Sequence, residues 1–222
     1  MTIRSHQEGI SMPKQTFFNL PEEKRNHILD TAINEFAGQG YKGSSISRIV
    51  AMAGIAKGSF YQYFENKDDL FCYIVTTMIA DRKLLVYEQE KHRLADLSLT
   101  GFLRLVFRRQ VEEFQQNPRL LKIGIDLMQI AGEPIYQRIM RQYQSSVNTY
   151  FLPFIRHEVE QGEIDPKINQ QLLNFMLVSL GQYMVYRYSA DEMPVINSSF
   201  IDDIVDDLEY ILANGVYVKE GE

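Results

Sequence analysis

The sequence predicts an all-α chain. Apolar residues recur at intervals of three and four almost throughout, period-two alternation is nowhere sustained, and capping residues, glycines and prolines fall between the apolar stripes. After a polar N-terminal tail over 1–21, Asn19-Leu20-Pro21-Glu22 offers a capping residue, an early proline and a Glu three positions on, which together mark a helix start. Ile28, Leu29, Ala32, Ile33 and Phe36 form one stripe, expected to stop at Gly38 and Gly40. Ser44-Ser45 can cap a short second helix that buries Ile46, Ile49, Val50 and Ala53 and ends at Gly54, which can take the left-handed conformation of a tight turn. A third short helix runs from Lys57 to Phe64.

Asn66-Lys67-Asp68-Asp69 supplies a cap and an acidic first turn for a long fourth helix bearing Leu70, Phe71, Ile74, Val75, Met78, Leu85 and Val86, expected to link two domains. Further helices are predicted from Leu99/Phe102/Leu103/Val106/Phe107/Phe114, from Leu120/Leu121/Ile125/Met128, and from a stripe between Ile135 and Val159 bent at Pro153 and closed by Gly162. Asp165-Pro166 opens another helix, and 168–188 is apolar around much of its circumference. The last helix, about 197–214, sets Phe200, Ile201, Ile204, Val205 and Leu208 against an acidic face of Asp202, Asp203, Asp206 and Asp207.

Composition narrows the function classes. With 222 residues, 45% hydrophobic and 12% aromatic, the chain can bury a sizeable core. It has no run of eighteen uncharged apolar residues and no apolar stretch of signal-peptide type at its start, so a cytoplasmic protein without a membrane span is expected. Cys72 is the single cysteine, which excludes an intrachain disulfide and a thiolate zinc cage and leaves it a small buried apolar residue. The net charge of −6 is uneven: residues 1–67 carry 8 Lys/Arg and 6 Asp/Glu, a balance of +2, against −8 for the remainder. Only the front of the chain can approach phosphate.

Two short helices joined by a Gly-containing turn, with a preceding helix to complete a small core, make a helix-turn-helix. Phe60 and Phe64 share one face of the third helix, to be buried against Ile33, Phe36, Ile49 and Val50. The arc expected to face a major groove presents Gly58, Ser59, Gln62 and Tyr63. Gln62 can pair with an adenine edge, Ser59 can reach base or phosphate, and Gly58 permits close backbone approach. Lys57, Tyr61 and Lys67 at the margins, with Ser45 and the exposed Arg48 of the second helix, can bond phosphate oxygens, helped by backbone N–H groups at the starts of the second and fourth helices. Arg4 and Lys14 of the tail are candidates for an adjacent minor groove, although a disordered start is the commoner case; Phe17 and Phe18 are expected to pack the tail onto the first helix.

The stretch from Phe36 to Phe71, and above all Lys57-Gly-Ser-Phe-Tyr-Gln-Tyr-Phe-Glu-Asn-Lys-Asp-Asp-Leu-Phe71, resembles the DNA-binding domain of the tetracycline-repressor (TetR) family. The likeness runs from about Glu22 to Arg82, with the helix-turn-helix at 45–64. The family's Tyr-x-His/Tyr-Phe ending of the third helix is present as Tyr61-Gln62-Tyr63-Phe64. The resemblance implies a DNA-binding domain over 22–82, followed by a helical effector-binding and dimerisation domain over 83–222. It also implies a homodimer formed through the last two helices, about 168–188 and 197–214, that binds double-stranded operator DNA. A small-molecule effector would act through the middle helices. Beyond Arg82 the resemblance supports architecture only.

For the effector, Phe107, Met128, Tyr143, Phe175, Tyr183 and Met184 are candidate pocket residues, apolar with phenolic handles and suited to a hydrophobic or amphipathic ligand. Aromatic and Met residues at helical spacing are more often core. Against an enzyme, His27, His92 and His157 are far apart and form no paired metal-ligand spacing, so no catalytic residue, metal site or cofactor is expected. A repressor is the reading taken forward, with an activator of the same family, or a ligand-binding adaptor, as the alternatives.

Overall fold

A computed structural model describes residues 13–80, 97–147, 151–188 and 198–214. Every regular element among the described residues is helical. In chain order these are α1 (Gln15–Phe18), α2 (Glu22–Gly43), α3 (Ile46–Met52), α4 (Lys57–Tyr63) and α5 (Lys67–Ile74), which runs on into a π-helical turn, Val75–Ala80. They are followed by α6 (Leu99–Gln116), α7 (Pro118–Gln129), α8 (Pro134–Val147), α9 (Leu152–Gln161), α10 (Gln170–Tyr188) and α11 (Ser198–Asn214).

The helix starts follow local chemistry. Ser45 caps α3 by accepting from the N–H of Arg48 at 3.2 Å, Asn66 caps α5 by accepting from the N–H of Asp69 at 2.9 Å, and Ser98 caps α6 by accepting from Gly101 at 3.0 Å. Gly54 sits at φ 63° between α3 and α4, the turn conformation its sequence position implies. Other starts differ from expectation. Pro21, not Asn19, occupies the N-cap of α2, because Asn19 is taken up in closing a short α1 that the tail was not expected to form. Pro153 lies in the first turn of α9, where its missing N–H costs nothing, so the stripe expected to bend there is two helices, α8 and α9.

Gly38 does not end the first long helix. The helical run continues to Gly43 and is broken only at Gly40, whose φ of 66° and ψ of 169° belong to a region open essentially to glycine. A Cβ there would lie 2.7 Å from Oδ1 of Asp126, whose Oδ2 accepts the N–H of Tyr41 at 2.7 Å. The kink lies against, and its following N–H is bound by, a carboxylate more than eighty residues away.

The chain forms two compact units: 1–82 with 119–145, and 83–118 with 146–222. This departs from a division at residue 82 alone, since most of α7 and α8 belong with the N-terminal helices. In the first unit, Ile28, Phe36, Ile49, Phe60, Phe64 and Phe71 make a continuous core with Leu120, Ile123 and Leu127 of α7 and Ile135 and Ile139 of α8. The buried face of α7 is thus Leu120/Ile123/Leu127, while Leu121, Ile125 and Met128 are half-buried. Cys72 is buried in this core.

The second unit packs α6, α9, α10 and α11 around Phe102, whose ring stacks on Phe154 at 3.8 Å. Arg104 of α6 reaches Asp202 at 3.2 Å and Asp206 at 2.6 Å on α11, and Arg108 reaches Asp202 at 2.6 Å. Part of the acidic face of the last helix is therefore paired within the chain. Leu85 and Val86 of the expected linking helix lie outside the described residues, as do Arg4 and the side chain of Met78. No described helix is long and apolar enough to cross a membrane.

Candidate nucleic-acid interface

With seven residues, α4 is too short to be stable alone, and it packs against α1 and α3. Phe60 and Phe64 are fully buried against α2 and α3, as their spacing requires. The exposed residues of the helix are Lys57, Gly58, Tyr61 and Gln62, with Ser59 half-exposed. Lys57, Gly58, Ser59, Tyr61 and Gln62 therefore share an accessible surface.

Tyr63 does not join them. It is 7% exposed, and its ring lies 6.1 Å from that of Phe17, so its expected place in the base-reading arc is corrected to one in the core. At about 100° per residue, Tyr63 stands only ~60° from Phe60 on the helical wheel, closer to the buried face than to Gly58. What covers it is Phe17, itself fully buried and 4.9 Å from the ring of Phe64. Phe17 packs the tail against Phe64 and Tyr73, Arg25 of α2 donates to the carbonyls of Phe18 at 2.7 Å and Leu20 at 3.0 Å, and Phe18 is left partly exposed.

The other marginal residues have intramolecular partners. Ser45 is half-buried; besides capping α3, it donates its N–H to Oε1 of Glu35 at 2.9 Å. Arg48 spends Nε on Glu35 at 2.7 Å and Nη2 on Glu35 and on the carbonyl of Gly43. Glu35 is only 5% exposed, and it fastens the start of α3 to α2. Burial works against its charge, but the hydrogen bonds from Arg48 and Ser45, with the charges of Arg48 and Lys67, outweigh burial and lower its pKa.

Lys67 donates to the carbonyls of Tyr41 at 2.5 Å and Ser44 at 3.1 Å, and its ammonium lies 4.5 Å from the centroid of the Tyr41 ring. It closes the C-terminus of α2, and partial burial lowers its pKa despite the nearby acidic side chains. Tyr41 is a hub that residue spacing did not disclose. Its N–H goes to Asp126, and its hydroxyl donates to Asp68 at 2.6 Å, with burial and then that bond raising its pKa. Glu35, Tyr41 and Asp126 tie α2 to α3, α5 and α7, and such long-range pairing leaves no trace in residue spacing.

Of the effector candidates, Phe107, Met128 and Phe175 have described side chains. Phe107 is buried in the core of the second unit, Met128 is half-buried in the first, and Phe175 is 62% exposed on α10. The side chains of Tyr143, Tyr183 and Met184 lie outside the described residues. Among the described residues no three His, Cys, Asp or Glu side chains are grouped to hold a metal ion.

The chain is similar in sequence and fold to known regulatory proteins. The sequence model for bacterial regulatory proteins of the tetR family matches residues 28–74, from the second turn of α2 to the end of α5. An uncharacterised helix-turn-helix transcriptional regulator of Bacillus subtilis, YhgD, is 23% identical over 180 residues, covering 78% of this chain and 88% of its own. A TetR family transcriptional regulator from Chloroflexus aurantiacus has a crystal structure that superposes with a TM-score of 0.57 at 26% identity, covering 92% of this chain and 98% of its own. The regulator FadR of Bacillus subtilis, solved in complex with stearoyl-CoA, shares the fold at a TM-score of 0.67 and 18% identity, covering 86% and 99% of the two chains.

Proposed function

We propose, from the premise that this chain belongs to the TetR family of bacterial regulatory proteins, that it represses transcription by binding a roughly palindromic operator as a homodimer. Each subunit lays α4 in a major groove. The observation that carries this reading is the exposed set Lys57, Gly58, Tyr61 and Gln62, with Ser59, on a short helix whose opposite face is locked into the core. Gln62 and Ser59 are assigned to base edges, and Lys57 and Tyr61 to phosphate. Ser45, Arg48 and Lys67 are assigned first to holding α2, α3 and α5 in register, with the exposed part of Arg48 facing phosphate second.

Dimerisation is placed on α10 and α11. Leu172, Phe175 and Met176, at helical spacing on α10, and Tyr210, Ile211 and Leu212 on α11 are all more than 40% exposed, an apolar set that favours a second copy over water. The effector is proposed to be hydrophobic or amphipathic. Support comes from FadR, which shares this fold and was solved with stearoyl-CoA. Such a ligand releases DNA only if it prefers the conformation with displaced recognition helices.

The test is selection from random duplex DNA, followed by titration of the enriched site at several salt concentrations. A palindrome with half-site centres about one helical turn apart or somewhat more is expected. A Lys57→Ala/Tyr61→Ala variant should lose binding while remaining folded. Absence of any enriched site with a folded dimer would overturn the reading.

A further inference from the structure

The C-terminal end of α4 is held by a segment from outside the helix-turn-helix. The last carbonyls of a helix lack intrahelical donors, and in α4 those of three successive residues are met by the segment around α1. The ammonium of Lys14 donates to the carbonyl of Tyr61 at 2.9 Å, the hydroxyl of Thr16 donates to that of Gln62, and the backbone N–H of Lys14 donates to that of Tyr63 at 2.7 Å. One turn further on, Phe17 is fully buried between Phe64 and Tyr73, at 4.9 and 5.9 Å between ring centroids. A cation at a helix C-terminus also complements the partial negative charge there.

We propose that Lys14, Thr16 and Phe17 form a clamp that fixes the rotation and pitch of the recognition helix, making them positioning residues for sequence reading. Two of the three clamped carbonyls belong to Tyr61 and Gln62, whose side chains face outward. Turning α4 about its axis would displace Gln62 from a base edge, whereas phosphate contacts through flexible side chains tolerate such a shift. Lys14 thus acts on DNA through α4, and a minor-groove role is not needed to explain its charge. The inference rests on the proposed operator binding, but its first readout does not require DNA.

The experiment compares Thr16→Val, which keeps the shape and removes the donor, with Thr16→Ser, which restores it, and with Lys14→Met. Amide hydrogen exchange of the peptide spanning 57–64 is measured in the free full-length protein. Affinities are measured for the enriched duplex and for the same duplex with the Gln62-contacted base pair replaced. Thr16→Val and Lys14→Met should speed exchange in α4 and reduce the affinity ratio between the two duplexes roughly three- to tenfold, the worth of one net hydrogen bond. Thr16→Ser should restore both, with the thermal midpoint and the salt slope close to wild type. Wild-type exchange and an unchanged ratio in Thr16→Val would overturn the clamp. So would a salt slope reduced by about one in Lys14→Met with the ratio intact, which makes Lys14 a phosphate contact. If the wild-type protein enriches no duplex, the operator reading fails and the recognition role falls with it, while the exchange data still decide whether the segment holds α4.

Discussion

Arg138 of α8 donates from Nη2 to Oδ1 of Asp69 at 2.7 Å, and Asp69, in the first turn of α5, is 1% exposed. The second carboxylate oxygen of Asp69 accepts the N–H of Glu65 at 3.0 Å, in the turn that leaves α4. One buried carboxylate therefore joins α8 to the exit of α4, both within the first compact unit. Lys42 to Glu133 at 2.6 Å and Arg119 to Asp30 at 2.8 Å add exposed pairs between the same sets of helices, each worth far less because water screens them.

Removing one partner of a buried ion pair leaves the other uncompensated. Arg138→Met should therefore destabilise the protein by about 2–3 kcal/mol, below the usual range for a wholly buried pair because the Arg138 side chain is 25% exposed. In Asp69→Asn/Arg138→Met the stranded charge is gone, and the loss should be smaller than the sum of the two single losses. Urea unfolding of the four proteins checks this. Strict additivity would show that the two side chains do not interact energetically.

Two glycines two residues apart should respond in opposite directions. Gly40→Ala forces a Cβ into a backbone region essentially reserved for glycine and against Asp126, and should cost about 2 kcal/mol or more. Gly38 lies within the helix with nothing within 4 Å of an added Cβ, so Gly38→Ala should raise stability by about 0.5–1 kcal/mol. Thermal midpoints of the two variants are sufficient to check it, and a shift of the same sign in both would refute the assigned kink.

The contrast between these glycines shows what the sequence could and could not convey. Local signals placed Gly54, the Ser45 and Asn66 caps, and the burial of Phe60 and Phe64, because each depends on spacing within one or two turns. The α2 kink lies against Asp126, the inclusion of α7 and α8 in the N-terminal unit depends on pairs such as Asp69–Arg138, and the burial of Tyr63 depends on Phe17. Such partners are distant in sequence and leave no periodic trace. Lys67 and Arg48 were legible as cations beside a helix-turn-helix, but not as residues occupied with the carbonyls at the end of α2. Polar type and expected exposure do not reveal whether a partner inside the chain has claimed the donor.

Glu35 gives a pH dependence of defined sign. Its folded pKa lies below the ordinary 4.5, because Arg48 and the Ser45 N–H favour the ionised form more strongly than burial opposes it. A depressed carboxylate pKa contributes stability that is fully present above the unfolded value and is lost as the pH falls through the folded one. The stability gap between wild type and Glu35→Gln should therefore be constant above the ordinary value and narrow on acidification below it. Unfolding free energies measured across that interval check the point; a gap independent of pH would mean that Glu35 titrates alike in both states.

The proposed separation of reading from packing residues on α4 is open to a direct comparison of operators. Gln62→Ala should relax the preference at one base pair at a cost of roughly 1–3 kcal/mol. Tyr61→Phe should weaken binding similarly on cognate and altered duplexes, since a phosphate contact carries no sequence information. Tyr63→Phe keeps the buried ring beside Phe17 and should leave the preference unchanged, whereas Tyr63→Ala opens a cavity and should cost about 3 kcal/mol of stability. Binding to a panel of single-base-pair operator variants separates these outcomes. A preference altered at one position by Tyr63→Phe would return its hydroxyl to the groove and require α4 to sit on DNA differently from its packing in the free chain.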